Sequence, residues 1–169
     1  AEGYYAVGLL TRIPECRVLA FETTAKGREL LSGQAHDNGV LDRIEILGHC
    51  TPELFREKCA LLKPEYIIMD IEGGEEGLLS TDLGDLVRNS EILVEVHPGF
   101  IPGVDALVSS AMEKTHKVYA IHSERRLLSD YWKRLGPLPM MFCGRTLLAF
   151  MDENRGSTSY WLHLVPRKG

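Results

Sequence analysis

Four ionisable side chains follow two short apolar stretches, at a spacing that could form a chemical site. The stretch EYIIMDIEGG contains Asp70 and Glu72, and the stretch EILVEVHPGF contains Glu95 and His97. Apolar, β-branched runs of this length indicate buried parallel strands. Residues two apart on a strand share a face and neighbouring strands lie about 4.8 Å apart, so the four groups can converge. Open α/β sheets bind ligands at this end of their strands, although any single one of these residues could equally be a solvated strand end.

Two kinds of chemistry fit this set. Three carboxylates and one imidazole are compatible with magnesium or manganese, but the set lacks the two or three histidines of a typical zinc site. A divalent cation is an alternative that we do not favour, and we predict no metal ligands. Carboxylates held this close otherwise share a proton or find hydrogen-bond donors, as in acid–base catalysis. Gly73 and Gly74 follow the first stretch and let the backbone turn or approach a ligand closely.

Composition and charge narrow the class of protein. The chain has 169 residues, 44% of them hydrophobic, which suits one domain with a proper core. Its 19 basic and 24 acidic side chains give a net charge of -5, which argues against nucleic acid as the main partner. No apolar run approaches the ~20 residues that span a bilayer. The four cysteines lack the spacing of a zinc site or a disulfide framework, so we expect a cytoplasmic protein. Because no apolar run is long enough, we expect no association with membranes.

Helical and strand patterns alternate along the chain. This order predicts a single α/β domain over residues 1–169, with a doubly wound, mostly parallel sheet and helices on both faces. Helices are predicted at about 1–13, 24–38, 51–62, 104–114 and 128–135, and strands at 17–21, 43–47, 66–71, 92–97, 117–122 and 145–151. The strand at 145–151 is expected to run antiparallel at or next to one edge. The tail SYWLHLVPRKG fits either a helix or a strand.

The order of these elements and the residues at their ends resemble the class I methyltransferase fold, which is Rossmann-like, and specifically the FkbM-type family. Three motifs carry the resemblance: AEGYY at 1–5, AFE at 20–22, and DIEG at 70–73 followed by VEVH at 94–97. AEGYY is similar to the later half of the family's glycine-rich motif. AFE is similar to the family's strand that ends in an acidic residue, which holds the ribose hydroxyls. DIEG with VEVH is similar to a pair of strand ends in the family and is the most specific of the three matches. The resemblance covers about residues 1–98 and implies that S-adenosylmethionine is the cofactor.

The resemblance also implies a donor site. Glu22, with Thr23 beside it, would hold the ribose hydroxyls, because a carboxylate accepts two hydroxyl hydrogen bonds at once; the alternative is a glutamate that only caps a helix. His49 and Cys50 would lie at the adenine edge, although Cys50 could be a small buried residue. Asp70 would accept from the methionine ammonium or border the acceptor pocket. The start of the first helix would face the methionine carboxylate, and it comprises Ala1, Glu2, Gly3 and Tyr4.

The implied reaction is O-methylation of a small-molecule hydroxyl. Alignment of the acceptor supplies much of the acceleration, and a base that takes the hydroxyl proton adds about 10²–10⁴-fold. We predict that His97 is this base, that Glu95 orients it, and that Glu72 is a further catalytic residue. The alternative is a structural His97 that hydrogen-bonds the turn at Pro98 and Gly99. The loops expected around the acceptor, 98–103 and 123–139, contain no diagnostic motif.

Two other functions are kept as alternatives. One is a non-catalytic nucleotide-binding domain of the same fold, and the other is an NAD-dependent oxidoreductase. The second is weakened because no G-x-G-x-x-G precedes a helix in the sequence. Binding of S-adenosylmethionine, of NAD, or of neither would separate the three functions.

The family's first strand and first glycine have no counterpart ahead of Ala1 in this sequence. In a methyltransferase sheet this strand lies at the centre, between the second and the fourth strands. A sheet without it would leave unpaired backbone groups buried, at a cost that a domain's stability of about 5–15 kcal/mol cannot absorb. We therefore expect the native protein to have an apolar strand, an acidic residue and a glycine upstream of Ala1. The alternatives are that another segment or a second chain fills the place of this strand, or that the methyltransferase interpretation is wrong.

Overall fold

The computed structural model describes residues 3–71, 75–79, 83–122 and 159–167. All five strands predicted before residue 123 are found there, within a few residues of their expected bounds, so the predicted α/β class is confirmed. The segments predicted at 128–135 and 145–151 lie outside the described residues. The chain divides into two compact units, Ala1–Pro64 and Glu65–Gly169. No helix in the described ranges combines the length and the apolar character needed to cross a membrane.

The first unit alternates three helices with two strands. Two of its helices begin at threonines, because a threonine oxygen can satisfy one of the first backbone N–H groups. Thr24 accepts from the Gly27 N–H, and Thr51 accepts from the Leu54 N–H and is followed by Pro52 in the first helical turn. The elements are α1 (Tyr4–Arg12), β1 (Val18–Phe21), α2 (Ala25–Asp37), β2 (Ile44–Leu47) and α3 (Pro52–Leu62), with one 3-10 turn at Leu41–Arg43.

The two strands of the first unit run parallel. Val18 lies opposite Ile44, and Phe21 lies opposite Leu47. The N–H of Glu22 donates to the Leu47 carbonyl at 3.1 Å, so the pairing extends to the residue that follows β1. Apolar residues of α1 and α2, with Val40 from the loop after α2, form the core beside these strands; its buried members are Val7, Leu10, Leu31, Ala35 and Val40.

Arg43 ties the end of α1 to the start of β2. Its guanidinium donates to the carbonyl oxygens of Leu10, Ile13, Pro14 and Cys16 at distances from 2.7 to 3.3 Å. The last carbonyls of a helix have no partner within the helix, and a guanidinium carries five N–H donors. One side chain therefore satisfies both the helix end and the loop after it.

The second unit contains a four-stranded sheet. Its elements are β3 (Tyr66–Met69), α4 (Glu75–Leu78), β4 (Glu91–Val96), α5 (Val104–Met112), β5 (His116–Ile121) and β6 (Tyr160–Pro166). The strand order is β3-β4-β6-β5, with β3 parallel to β4 and with β6 antiparallel to both β4 and β5. The tail, which the sequence left open between helix and strand, is thus an antiparallel strand next to the edge strand β5 within the described sheet.

One face of this sheet is apolar and buried. Alternate residues of β4 point to it, as the two-residue period of a strand requires, and α5 presents apolar residues at helical spacing. These residues have almost no exposed surface: Ile92, Val94 and Val96 in β4, Val104, Val108 and Met112 in α5, and Leu162 and Leu164 in β6. The buried face holds β3 and β4 in place, and their carboxyl ends carry the polar residues described next.

Candidate functional site

Three ionisable side chains meet at the carboxyl ends of β3 and β4. The strands are parallel neighbours with Met69 opposite Val94, so Asp70 and Glu95 follow at the same edge of the sheet. His97 lies two residues beyond Glu95. One potential ligand atom from each of Asp70, Glu95 and His97 lies within 4.8 Å of those of the other two. The structure thus brings together three of the four strand-end residues predicted from the sequence.

The Asp70–Glu95–His97 cluster is partly shielded from water. Only 3% of Glu95 is exposed, whereas Asp70 and His97 are half-buried. Electrostatic interactions are stronger where water is excluded, so the Glu95 carboxylate acts more strongly on its neighbours than a surface carboxylate would. Asp70 and His97 retain some exposed surface.

The turn after β4 uses the backbone of His97. Its carbonyl oxygen accepts from the N–H groups of Phe100 at 2.9 Å and Ile101 at 3.0 Å. The imidazole stacks on the Phe100 ring, with centroids 5.6 Å apart and planes inclined by 16°. The backbone of His97 therefore closes the turn, and the stacking fixes the tilt of the imidazole ring.

A second polar group, which was not predicted from the sequence, lies at the same edge. Because β4 and β5 both run antiparallel to β6, His122 at the end of β5 leaves the sheet on the same side as His97. Tyr160 opens β6 opposite Val96, its hydroxyl donates to Asp105 at 2.7 Å, and its ring centroid lies 4.6 Å from that of His122. The strand-end rule that identified His97 would have found His122. The contact between Tyr160 and Asp105 has no local sequence signal.

The protonation states of this second group follow from its contacts. The hydrogen bond from Tyr160 lowers the pKa of Asp105, which is therefore an anion at neutral pH. Burial and the neighbouring Asp105 raise the pKa of Tyr160 to about 12. Tyr160 is consequently a hydrogen-bond donor, not a base, throughout the physiological range.

In the first unit, Glu22 lies directly after β1. Its Oε1 accepts from the backbone N–H and from the hydroxyl of Thr24, both at 2.8 Å. These bonds, the backbone one above all, lower the pKa of Glu22, so its carboxylate is charged at neutral pH. The Thr24 oxygen also accepts from the Gly27 N–H at 2.9 Å. Thr24 is thus the cap of α2, and Glu22 rests on that cap.

The predicted donor-site residues before and after Glu22 differ in their surroundings. Gly3 precedes α1 with φ at 97°, a left-handed conformation that favours glycine, and a Cβ added to it would collide with Leu31. Tyr4 is 74% exposed. The Thr23 carbonyl accepts from the Arg28 guanidinium at 2.9 Å. Gly3 therefore allows α1 to start close against α2.

His49 and Cys50 follow β2. Because β1 and β2 are parallel, these residues leave the two-stranded sheet at the same edge as Glu22. His49 is exposed and Cys50 is half-buried. Burial raises the pKa of the Cys50 thiol to about 11, so it is protonated at neutral pH and behaves as a small apolar group with a weak donor. The predicted site residues Ala1, Glu2 and Glu72, like Gly73 and Gly74, lie outside the described residues.

Each unit can therefore perform one task. The first presents a charged carboxylate at the start of a helix, which suits a neutral ligand with paired hydroxyl groups. The second presents two carboxylates and an imidazole around one point, which suits removal of a proton from a bound hydroxyl. The hydroxyl of Tyr160 lies at the same edge of the second unit's sheet, and its proton is donated to Asp105.

Comparison with known proteins gives similarity in structure alone. No protein-family model and no curated protein matches the sequence. A precorrin-6Y C5,15-methyltransferase from Geobacter metallireducens matches with a TM-score of 0.58 and 10% identity, covering 97% of this chain and 74% of that one. A predicted O-methyltransferase from Agrobacterium tumefaciens matches with a TM-score of 0.58 and 13% identity, covering 99% and 71%.

A third solved structure was determined with a ligand. It is an O-methyltransferase from Bacillus cereus in complex with SAH, with a TM-score of 0.52 and 10% identity, covering 88% of this chain and 62% of that one. Identities this low establish architecture and not activity. The chain has the α/β, Rossmann-like fold of class I, S-adenosylmethionine-dependent methyltransferases.

Proposed function

We propose that this chain is an S-adenosylmethionine-dependent methyltransferase that methylates a hydroxyl group of a small molecule. The Asp70–Glu95–His97 cluster carries the proposal, because it puts a base and two carboxylates at the carboxyl ends of adjacent parallel strands, where open α/β sheets bind ligands. The fold supports it, since two neighbours are named as O-methyltransferases. The net charge of -5 favours a small acceptor over nucleic acid. The motifs described above support an FkbM-type relationship.

The first unit is proposed to bind the donor. Glu22 would accept from the ribose hydroxyls; its charged state and its fixed position on Thr24 fit that role. His49 and Cys50 would border the adenine, with Thr23 beside the ribose. The start of α1 would offer backbone N–H groups to the methionine carboxylate through Ala1, Glu2, Gly3 and Tyr4.

The second unit is proposed to act on the acceptor. S-adenosylmethionine supplies a methyl group that is already activated by positively charged sulfur. The imidazole of His97 would take the hydroxyl proton as the acceptor oxygen attacks the methyl carbon and the carbon–sulfur bond breaks. Glu95 would stabilise the imidazolium that forms, with Glu72 as an additional group, and Asp70 would accept from the methionine ammonium or border the acceptor.

A divalent cation bound by the same cluster is the alternative to acid–base catalysis by His97. The three ligand atoms lie within 4.8 Å of one another, and carboxylate oxygen and imidazole nitrogen are donors that magnesium or manganese can accept. We propose the metal-free mechanism and expect dialysis against EDTA to leave the methylation rate unchanged. Activity lost on EDTA treatment and restored by Mn²⁺ alone would establish the cation instead.

Calorimetric titration with S-adenosylmethionine and with NAD tests the function directly. We expect S-adenosylmethionine to bind at one site and NAD not to bind. Release of S-adenosylhomocysteine with pooled hydroxylated compounds would then identify the acceptor class. Binding of NAD alone would indicate an oxidoreductase, and binding of neither would indicate a non-catalytic domain.

A further inference from the structure

Gly27, in the first turn of α2, lies directly against the Glu22 carboxylate. A Cβ added at Gly27 would come within 2.5 Å of Glu22 Oε1 and 2.7 Å of Cγ, and would also collide with Cδ. Carbon and oxygen atoms that are not bonded do not approach this closely in folded proteins. Any side chain at residue 27 would therefore force the carboxylate to move. Gly33, further along the same helix, has no atom within 4 Å of its added Cβ.

Three residues form a continuous chain of hydrogen bonds here. The Gly27 N–H donates to Thr24 Oγ1 at 2.9 Å, and the Thr24 hydroxyl donates to Glu22 Oε1 at 2.8 Å. The Thr24 backbone N–H donates to the same oxygen at 2.8 Å. The two bonds from Thr24 both reach Oε1 of the carboxylate, and Oε2 takes part in neither of them. Glu22 is therefore held by one oxygen, with the other oriented by the rigid geometry of the carboxylate.

We propose that Gly27 is a positioning residue for the donor's ribose diol. Its missing side chain lets the Glu22 carboxylate rest on the first turn of α2, where Thr24 holds Oε1 and Oε2 is presented to a hydroxyl pair. The inference rests on the proposed function, in which Glu22 accepts from the ribose. It assigns the shape of this site to a residue that contacts no ligand.

Binding and stability should respond differently to a side chain at position 27. The colliding atoms belong to the far end of a flexible glutamate, so its rotation breaks the two hydrogen bonds from Thr24 but requires no shift of the backbone. Alanine also has a higher helix propensity than glycine. The gain in helix propensity opposes the loss of these two hydrogen bonds, so Gly27→Ala should keep a melting temperature close to that of the wild type while it removes the carboxylate from its binding position.

The test compares Gly27→Ala with Gly33→Ala by calorimetric titration and thermal melting. Gly27→Ala is expected to weaken S-adenosylmethionine binding about tenfold or more, and Gly33→Ala to leave the dissociation constant unchanged. In competition experiments, Gly27→Ala should weaken the binding of adenosine far more than the binding of 2′,3′-dideoxyadenosine, which lacks the diol. In a Glu22→Ala background, adding Gly27→Ala should cause no further loss, because a residue that acts only through Glu22 is non-additive with it.

The outcomes separate this inference from the proposed function. Wild-type protein that does not bind S-adenosylmethionine would overturn both. Wild-type binding with an unchanged dissociation constant in Gly27→Ala would overturn only the role of Gly27. An equal loss of affinity for adenosine and for the dideoxy compound would also overturn the role of Gly27, because Gly27 would then act on something other than the diol. A further loss of S-adenosylmethionine affinity in the Glu22→Ala background would overturn that role for the same reason.

Discussion

Replacing His97 by alanine is expected to lower the turnover number of methyl transfer by about 10²–10⁴-fold, the usual contribution of a general base. The dissociation constant of S-adenosylmethionine should stay unchanged, because the residues proposed to bind the donor remain. Single-turnover formation of S-adenosylhomocysteine with a saturating acceptor measures the first quantity, and calorimetry measures the second. The size of the effect follows from the loss of the only imidazole in the Asp70–Glu95–His97 cluster.

His163→Ala is the matched control for His97. His163 is also a half-buried histidine on the same sheet and lies 2.6 Å from a carboxylate oxygen of Glu91. It belongs to no group of three potential ligands within the described residues, so its removal should change turnover little. A His97→Ala variant that loses donor affinity but keeps its turnover would reverse the role given to His97.

Glu22→Ala should weaken S-adenosylmethionine binding by about 1.5–3 kcal/mol for each hydrogen bond lost to the charged carboxylate. This corresponds to roughly 10- to 100-fold in the dissociation constant, since about 1.4 kcal/mol is a factor of ten. The α2 cap should survive, because Thr24 still accepts from the Gly27 N–H. Titration calorimetry with S-adenosylmethionine gives the result.

Glu29→Ala provides the control for the loss of charge. Glu29 lies on α2, is well exposed and pairs with Lys26 at 3.0 Å. Its removal changes the net charge by the same amount, but an exposed pair of this kind contributes at most about 1 kcal/mol to stability. Donor affinity should be retained. If Glu22→Ala bound the donor as tightly as Glu29→Ala, the ribose assignment would have to be abandoned.

Short-range patterns in the sequence predicted most of the fold. Buried parallel strands need apolar runs, and helix starts need caps, so β1 to β5 and the start of α3 at Thr51 could be located from neighbouring residues alone. The meeting of Asp70, Glu95 and His97 was also predictable, because it follows from strand period and parallel pairing.

Features that depend on distant residues could not be predicted in this way. The apolar run of the tail, YWLHLV, is too short to decide between helix and strand, and its partners β4 and β5 decide it. Tyr160 and Asp105 are far apart in sequence, so their hydrogen bond is visible only in the fold. No sequence pattern identifies Gly27, because its proposed role is to leave space for the Glu22 carboxylate, and the two residues meet only in the fold.

The position of β6 has a consequence for how the protein is made. This strand is the last described element of the chain, yet it lies between β4 and β5 and pairs with both, with Val96 opposite Tyr160 and Ile121 opposite Trp161. During synthesis β4 and β5 leave the ribosome long before their shared partner does, and non-local pairing of this kind is slow. The second unit must therefore complete its sheet after translation of residue 166. Until then the facing edges of β4 and β5 are exposed to pairing with other chains, the interval in which a chaperone would protect them.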